Sequence, residues 1–428
     1  QTGGLVDLST YHRQLGLPYT RLHDCHWPNP DVVDIHAIFP VFTADPASPE
    51  NYQFSRTDDY LQAIVNVGSA IVYRLGESIE HTPRKYHVHP PADYNRWAAV
   101  CLGIIRHYNQ AWTNGFRHNI RYWEIWNEPE NRPAMWTGSD DDYFRLYEVA
   151  ATAIKAHDPT LKVGGPSLGY TGQIVAGRFE PSPFLLAFLD YCKRKSLPLD
   201  FFSWHLYTDD PAECMIRARG IRQVLDRQGF AKTELHLNEW NYLPANDWTP
   251  MSLAGQGLAR QRFYEQIGGI PGAAFSTCAL INLQDTPVDV ANYYMADNQG
   301  FGLFNLHGTP NKTFHAFKAF RMLLDTPIRL ESRGTQPRAL AICAGTNADR
   351  SAVGILISNY RSPQTTPSLT IDNLPWPGPT RCEIFLLDAT RDLAQTQNTQ
   401  LPPGQVALTL PLPSPSVCLV KLTPLPPP

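Results

Sequence analysis

The sequence has no cluster of basic residues. Its 36 lysines and arginines are outnumbered by 40 aspartates and glutamates, and the formal net charge is −4. Proteins that bind nucleic acid neutralise phosphates with clustered Lys and Arg, so no nucleic-acid partner is expected. No apolar stretch reaches the roughly 20 residues that a helix needs to cross a bilayer, and no membrane partner is expected either.

Paired cysteine motifs and leader-peptide features are also missing. The eight cysteines are widely spaced without a C-x-x-C pair, which favours buried free thiols. The chain starts at Gln1 without a charged or apolar leader. We therefore expect either a cytoplasmic protein or a secreted or periplasmic one whose signal peptide has been trimmed. Neither double glycine, Gly164-Gly165 or Gly268-Gly269, has phosphate-loop spacing, and we expect no cofactor.

What the chain does contain is an alternation of strand-like and helix-like segments. We predict eight strands, over residues 19–24, 32–39, 69–75, 121–127, 161–166, 201–207, 234–240 and 273–281. Most are followed by an amphipathic helix, and such alternation predicts a parallel sheet. Eight units over about 300 residues predict an α/β fold of the (β/α)8 TIM-barrel type, whose functional site lies at the C-terminal ends of the strands.

The character of the sequence changes near residue 327. From there, short apolar strands alternate with turns rich in Pro, Gly, Asn and Asp, and no helix is predicted. This pattern is typical of a β-sandwich of about 100 residues. We therefore predict two domains, a barrel over residues 1–326 and a C-terminal β-sandwich accessory domain over residues 327–428.

Two predicted strands end in glutamates that suggest a chemical function. The aromatic strand Tyr-Trp-Glu-Ile-Trp leads to Asn127, Glu128 and Pro129, and the strand Leu-His-Leu-Asn leads to Glu239 and Trp240. Cleavage of a glycosidic bond needs a proton for the leaving oxygen and stabilisation of an oxocarbenium-like transition state. Two carboxyl groups in different environments supply both. The pattern therefore predicts acid–base chemistry on a sugar, with Glu128 and Glu239 as catalytic residues.

These motifs resemble glycoside hydrolase family 39, which includes β-xylosidases and α-L-iduronidases in the clan of retaining (β/α)8 glycosidases. The resemblance rests on Trp-Glu-Ile-Trp-Asn-Glu-Pro ending at Pro129 and on Leu-Asn-Glu-Trp ending at Trp240. It rests also on Phe-Phe-Ser-Trp-His-Leu-Tyr ending at Tyr207 and on the strand Arg-Leu-His ending at His23. It implies that Glu128 is the general acid/base and that Glu239 is the nucleophile. It also implies that Asn127 binds the sugar 2-hydroxyl.

Further roles follow from the resemblance and from position in the barrel. His205 and Tyr207 are expected to orient Glu239 and keep it ionised, and His23 is expected to contact sugar hydroxyls. The remaining predicted substrate-binding residues lie at strand ends or are exposed aromatic candidates: Trp27, Glu77, Trp240, Asn282 and Asp285.

Histidine-rich segments raise the question of a metal. His87-Val-His89 lies beside two prolines without a matching Cys or carboxylate cluster, which favours loop packing or sugar contact over metal binding. His23, Asp24 and His26 are better suited to hydroxyl recognition at a barrel mouth. We therefore expect no metal.

The sequence as a whole predicts a metal-independent retaining exo-glycosidase acting on plant or microbial oligo- or polysaccharides. A β-D-xylosidase is the first choice, and an α-L-arabinofuranosidase or another glycosidase of the same family is the alternative. A non-catalytic carbohydrate-binding protein on the same barrel is the rival of another class. The expected partner is a carbohydrate substrate, and homo-oligomerisation is left open.

Overall fold

The computed structural model describes residues 6–26, 29–298, 300–404 and 406–425. The chain forms two compact units. The first comprises Gln1–Leu206, Ile216–Trp240 and Pro287–Asn292, and the second comprises Tyr207–Met215, Asn241–Thr286 and Tyr293–Pro428. Within the described residues, no helix combines the length and the apolarity needed to span a bilayer.

The first unit is built on a sheet of seven strands. Along the chain to residue 293 the strands are β1 (Tyr19–Arg21), β2 (Ala70–Leu75), β3 (Tyr122–Ile125), β4 (Lys162–Leu168), β5 (Gly172–Val175), β6 (Arg178–Pro181), β7 (Phe201–Thr208), β8 (Glu234–Tyr242) and β9 (Val290–Tyr293). The sheet order is β1-β2-β3-β4-β7-β8-β9, and β5 and β6 form a separate hairpin. Strands β1 to β4 and β7 pair in parallel.

The sheet curls into a nearly closed barrel, as predicted. The side-chain amide of Asn292 on the last strand donates to the Tyr19 carbonyl on the first strand at 3.3 Å. Strands β2 and β3 are buried almost throughout, as expected for parallel strands covered on both faces. The carboxyl ends of the strands therefore meet at one end of the barrel, where the predicted glutamates lie.

Helices connect most of the strands. Their bounds are α1 (Ser9–Leu15), α2 (Ile35–Ile38), α3 (Ser55–Asn66), α4 (Tyr94–Gln110), α5 (Asp140–His157), α6 (Pro183–Arg194), α7 (Glu213–Gln228), α8 (Gly257–Gly268), α9 (Ile270–Leu283) and α10 (Lys312–Leu323). Side chains cap two of the helix starts: α5 begins with a capping box between Ser139 and Asp142, and α6 begins with Ser182 as N-cap before Pro183. Both arrangements satisfy backbone N–H groups that a helix start leaves without a partner.

Two strand predictions are wrong. Residues 32–39 contain the short helix α2, and residues 273–281 lie inside helix α9. Helix α9 is buried on nearly all sides, so its sequence shows no amphipathic stripe, and periodicity cannot separate a buried helix from a buried strand. The last barrel strand is instead β9, which is only partly buried and therefore lacks an apolar run. The described barrel sheet has seven strands rather than eight.

The second unit contains the predicted β-sandwich. Its strands are β10 (Ile328–Leu330), β11 (Leu340–Thr346), β12 (Val353–Asn359), β13 (Ser368–Ile371), β14 (Thr380–Leu387), β15 (Asp392–Leu401), β16 (Val406–Thr409) and β17 (Ser416–Pro424). Six form an antiparallel sheet in the order β10-β11-β12-β17-β14-β15, and β13 pairs with β16. Strand β15 is polar and largely exposed, so no apolar run marks it in the sequence. The domain boundary between residues 326 and 327 stays a prediction.

Helix α9 packs against this sandwich within the second unit. The Ser358 hydroxyl on β12 donates to the Ala274 carbonyl at 2.7 Å, and the Phe275 ring lies 5.7 Å from the Tyr360 ring. The sandwich core itself is aliphatic and includes Ile384 and Leu422. Burial of this apolar surface is the main source of its stability.

The sandwich core yields a first prediction. Ile384 is 1% exposed, so truncation to alanine leaves a cavity. Ile384→Ala is expected to lower the free energy of unfolding by about 2–5 kcal/mol, measured by urea denaturation. Arg381→Ala, at an exposed position of the same strand, is the matched control and should change it by no more than about 0.5 kcal/mol. Equal effects of the two substitutions would contradict this assignment of the core.

Candidate active site

Glu128 lies in a turn directly after β3. The backbone of Trp126 and Glu128 adopts left-handed conformations, with φ of 71° and 43°, which ends the strand and turns the chain. The Glu128 amide donates to the Ser167 carbonyl at 3.0 Å. Gly169 lies so close that a Cβ there would overlap the Glu128 carboxylate. The carboxylate position is therefore fixed by two neighbouring strand ends.

Glu239 lies within β8 and is 8% exposed. One oxygen of Glu239, one oxygen of Glu128 and one ring nitrogen of His205 lie within 4.8 Å of one another. His205 Nδ1 is 2.8 Å from Glu128 Oε1, and His205 Nε2 is 3.6 Å from Glu239 Oε2. The sequence placed His205 beside Glu239; the structure places it between both carboxylates, with its short contact to Glu128.

A buried arginine supports the nucleophile candidate. Arg21 on β1 donates from Nε to Glu124 Oε2 at 2.7 Å and from Nη1 to Glu239 Oε2 at 3.1 Å. Its Nη2 donates to Asn127 Oδ1 at 2.5 Å. The sequence analysis assigned no role to Arg21 or Glu124. A signal was present, because a glutamate in the middle of a buried strand needs a cation nearby.

Two further polar residues complete this network, and the sequence analysis missed both. The Ser167 hydroxyl lies 2.7 Å from Arg21 Nη2 and 2.7 Å from His205 Nε2. Asn238 donates from Nδ2 to Glu124 Oε1 at 2.5 Å. Ser167 follows a glycine-rich apolar segment, which offers no motif that would mark it. Its place in the site depends on the pairing of β4 with its neighbours.

Asn127 and His23 extend the site toward the loop after β1. Asn127 Nδ2 is 3.1 Å from His23 Nε2, and both side chains are buried. Burial, together with the charges of Arg21 and Arg74, lowers the pKa of His23 well below its usual value. His23 is therefore a neutral imidazole that accepts the Asn127 hydrogen bond, and this fixes the orientation of the amide.

The electrostatics of Glu128 and His205 are coupled. Burial alone would raise the pKa of Glu128, but the hydrogen bond and charge of His205 outweigh it and the pKa is lowered. Burial would likewise lower the pKa of His205, and the charges of Glu239 and Glu128 raise it instead. In the unliganded protein the two side chains therefore share a proton as a carboxylate–imidazolium pair.

Glu77 lies just after β2 and contacts the loop after β1. Glu77 Oε1 accepts from the His36 amide at 3.2 Å, and Oε2 is 2.5 Å from His36 Nδ1. The ring of His36 stacks on that of His87 at 3.7 Å, so the histidine loop contributes to packing here. Asp34, His36 and Glu77 each offer an atom within 4.8 Å of the others. The expected absence of a metal stays a prediction.

The structure places the remaining predicted residues as follows. Trp27 lies outside the described residues. Trp240 is 3% exposed, so its ring is buried in the unliganded protein. Tyr207 belongs to the second unit, where its ring lies 5.0 Å from that of Trp248.

Asn282 and Asp285 require a correction. They were predicted to follow a barrel strand, but Asn282 ends helix α9 and Asp285 follows it. The Asn282 amide donates to the carbonyls of Pro211 and Pro337 at 3.0 and 2.9 Å, and Asp285 lies 3.3 Å from Arg329. The strand that motivated a binding role for both residues does not exist.

Glu130 gives a pH-dependent prediction. Burial and the charge of Glu128 raise its pKa to about 8. The folded state therefore binds a proton that the unfolded state releases above its own pKa of about 4.3, and stability falls as the pH rises between these values. Glu130→Gln removes this dependence. We compare the Tm difference, variant minus wild type, at two pH values. This difference is expected to be more positive at pH 8 than at pH 5 by at least about 3 °C.

Calorimetry at the two pH values measures this difference. Glu180→Gln, at an exposed position of β6, is the matched control and should show no such change. A Glu130→Gln offset that is the same at both pH values would mean that Glu130 is ionised in the folded protein.

The model of Glycosyl hydrolases family 39 matches residues 7–355. The chain is 31% identical over 265 residues to a β-xylosidase of Geobacillus stearothermophilus, covering 56% of this chain and 49% of that protein. It is 26% identical over 388 residues to a β-xylosidase of Caldicellulosiruptor saccharolyticus, covering 82% of this chain and 70% of that protein. The chain thus spans about half the length of the first relative.

Among solved structures, a glucosidase from Croceicoccus marinus is similar with a TM-score of 0.82 and 27% identity, covering 99% of this chain and 93% of that one. The family model covers most of the sequence, including both glutamate motifs and the strands that position them. The chain therefore belongs to glycosyl hydrolase family 39.

Proposed function

We propose that this protein is a retaining exo-glycosidase, with Glu128 as general acid/base and Glu239 as nucleophile. The observation that carries the proposal is the approach of a Glu128 oxygen and a Glu239 oxygen to within 4.8 Å. Retaining glycosidases hold their two carboxyl groups roughly 5–5.5 Å apart, whereas inverting enzymes leave about 6.5–9.5 Å for a water molecule. This spacing supports double displacement.

In the first step, the Glu239 carboxylate attacks the anomeric carbon as the bond to the leaving oxygen breaks. Glu128 takes up the proton that it shares with His205 and transfers it to that oxygen, so the leaving group departs as an alcohol and a glycosyl ester forms on Glu239. Arg21 donates a hydrogen bond to Glu239 Oε2, and this charge-assisted contact fixes the direction of the carboxylate.

In the second step, Glu128 takes a proton from water as the water oxygen attacks the anomeric carbon and Glu239 leaves. Esterification removes the negative charge of Glu239 and with it the repulsion that disfavours a second carboxylate nearby. Glu128 is therefore a stronger acid at this stage and works as the base. His205 lies against both carboxylates and balances the charge as the proton moves.

Asn127 supports the transition state through the sugar 2-hydroxyl. Its Oδ1 accepts from Arg21 Nη2, and one N–H of its Nδ2 points at His23. The amide is therefore oriented before substrate binds, and its second N–H is available to a hydroxyl. Hydrogen bonds to the 2-hydroxyl strengthen as the oxocarbenium character develops.

For the sugar, we propose a β-D-xyloside, because two relatives of this chain are named β-xylosidases. A β-glucoside is the second candidate, since the similar structure from Croceicoccus marinus is named a glucosidase and covers nearly the whole chain. An α-L-arabinofuranoside stays the alternative predicted from sequence. Release of single sugars from the end of a xylo-oligosaccharide would support exo action.

A non-catalytic carbohydrate-binding protein remains the rival. A binding protein has no chemical need for two carboxyl groups at this spacing, nor for a buried arginine that is bonded to one of them. The network of Arg21, Glu239 and His205 therefore favours an enzyme.

Hydrolysis of a panel of 4-nitrophenyl glycosides tests the proposal. Wild type should release 4-nitrophenol from one glycoside, and Glu239→Gln should lower kcat by at least about 1,000-fold because it removes the nucleophile. Glu180→Gln is the matched control. NMR of the first product should show retention at the anomeric carbon.

Three outcomes would contradict the proposal. Turnover that survives Glu239→Gln would mean that Glu239 is misassigned, and inverted product would exclude double displacement. Sugar binding by a wild-type protein that turns over no glycoside would establish the binding protein instead.

Metal independence is tested by chelation. Because both steps use only carboxyl groups, EDTA treatment followed by desalting is expected to leave kcat/KM unchanged within about twofold. Loss of activity that added Zn²⁺ or Ca²⁺ restores would show that the cluster of Glu128, His205 and Glu239, or that of Asp34, His36 and Glu77, holds a metal.

A further inference from the structure

Two more carboxyl groups lie at the end of the barrel that holds the catalytic network, and one of them, Asp24, lies beside the network. Asp24 follows β1, and its Oδ1 is 3.3 Å from His23 Nε2, which also contacts Asn127. Glu77 follows β2 at the same end of the barrel. The Asp24 side chain is 13% exposed and Glu77 is 6% exposed. The proposed mechanism uses neither group.

The loops that carry them are joined by a series of hydrogen bonds. The Ile35 amide donates to the Gly76 carbonyl at 3.1 Å, and the His36 amide donates to Glu77 at 3.2 Å. The two residues after Glu77 donate to the loop after β1 in return. Ser78 N donates to Asp34 Oδ2 at 2.7 Å, and Ile79 N donates to Asp24 Oδ1 at 3.2 Å. Both carboxyl groups are therefore held in fixed positions before a ligand arrives.

These contacts do not fully replace water around the charges. Burial, with the charge of Glu239, raises the pKa of Asp24 to about 6, and burial raises the pKa of Glu77 to about 7 despite the hydrogen bond from His36. A buried carboxylate in this condition gains from any added hydrogen-bond donor. Sugar hydroxyl groups are donors of this kind, and charge-assisted hydrogen bonds to carboxylates are among the stronger ones.

The same groups disfavour an anionic sugar. Six carboxyl groups belong to the network and the joined loops: Asp24, Asp34, Glu77, Glu124, Glu128 and Glu239. The guanidinium groups of Arg21 and Arg74 pair with three of them. His36 and His205 add positive charge when protonated, so above about pH 7, where Asp24 and Glu77 are ionised, carboxylates exceed cations by two. Like charges in a poorly solvated site repel strongly.

We infer that Asp24 and Glu77 bind hydroxyl groups of the sugar that Glu239 attacks, and that this sugar is neutral rather than a uronic acid. The inference rests on the proposed glycosidase function and narrows its substrate. It makes the two residues determinants of specificity, because each recognises a hydroxyl that a deoxy sugar lacks.

The test is a chemical double-mutant cycle. Wild type, Asp24→Asn and Glu77→Gln are assayed on the preferred 4-nitrophenyl glycoside and on its 3-deoxy and 4-deoxy analogues. Each substitution should lower kcat/KM on the parent glycoside by roughly 10- to 100-fold, chiefly through KM. One deoxy analogue lacks the hydroxyl that the residue binds. On that analogue, the same substitution should lower kcat/KM by less than about threefold.

Controls separate recognition from loop support. Asn and Gln keep an oxygen that accepts the backbone N–H, so the Tm of both variants should stay close to that of wild type. Asp190→Asn, at an exposed position of α6, should leave all rates unchanged. A loss of the same factor on all three glycosides would show that the residues only hold the loops, and would overturn the inference.

A second arm tests the charge of the sugar. Wild type should prefer the neutral glycoside over the corresponding 4-nitrophenyl glucuronide by at least about 100-fold in kcat/KM. Preference for the glucuronide would overturn the inference while leaving the glycosidase function intact. Absence of turnover on every glycoside would overturn the proposed function and this inference with it.

Discussion

The guanidinium of Arg21 is the group on which the rest of the site depends. Its side chain is 3% exposed, and it bonds to Glu124, Glu239, Asn127 and Ser167. A buried cation is costly unless it is paired and hydrogen-bonded. Burial lowers the pKa of Arg21, but the charges of Glu124 and Glu239 raise it above its usual value. Each partner thus stabilises the charge of the other.

This arrangement ties four barrel strands together through one side chain. Arg21 lies on β1, Glu124 on β3, Ser167 on β4 and Glu239 on β8. Removing the arginine would leave two buried carboxylates without their cation, a far larger penalty than the loss of a surface ion pair. The need to pair charges in the barrel interior and the need to orient a nucleophile are met by the same contacts.

His205 complements Arg21 because its charge can change. Arg21 is permanently charged, whereas His205 can gain or lose a proton between the two carboxylates, and its short contact is with Glu128. The permanent cation therefore contacts the proposed nucleophile, and the titratable side chain makes its short contact with the proposed acid/base. The two glutamates lie within 4.8 Å of each other but have different partners, as their different proposed roles require.

The sequence by itself determined the barrel, the sandwich and the family, and it predicted the two glutamates of the proposed site. An aromatic strand ending in Asn-Glu-Pro and a strand ending in Glu-Trp are local patterns, and alternating strands and helices report a parallel sheet. Local patterns were insufficient where burial is uniform, which is why helix α9 was predicted as a strand and Asn282 and Asp285 were assigned to a barrel mouth.

Only the tertiary structure decided which polar groups meet. Arg21, Glu124, Ser167 and Asn238 lie far apart in sequence, and their contacts exist because parallel pairing brings β1, β3, β4 and β8 into register around one interior. The position of His205 between two carboxylates and the joining of the loops that hold Asp24 and Glu77 have the same origin. Hydrogen bonds over such separations leave no periodic signal in the sequence, since their partners are selected by closure of the barrel.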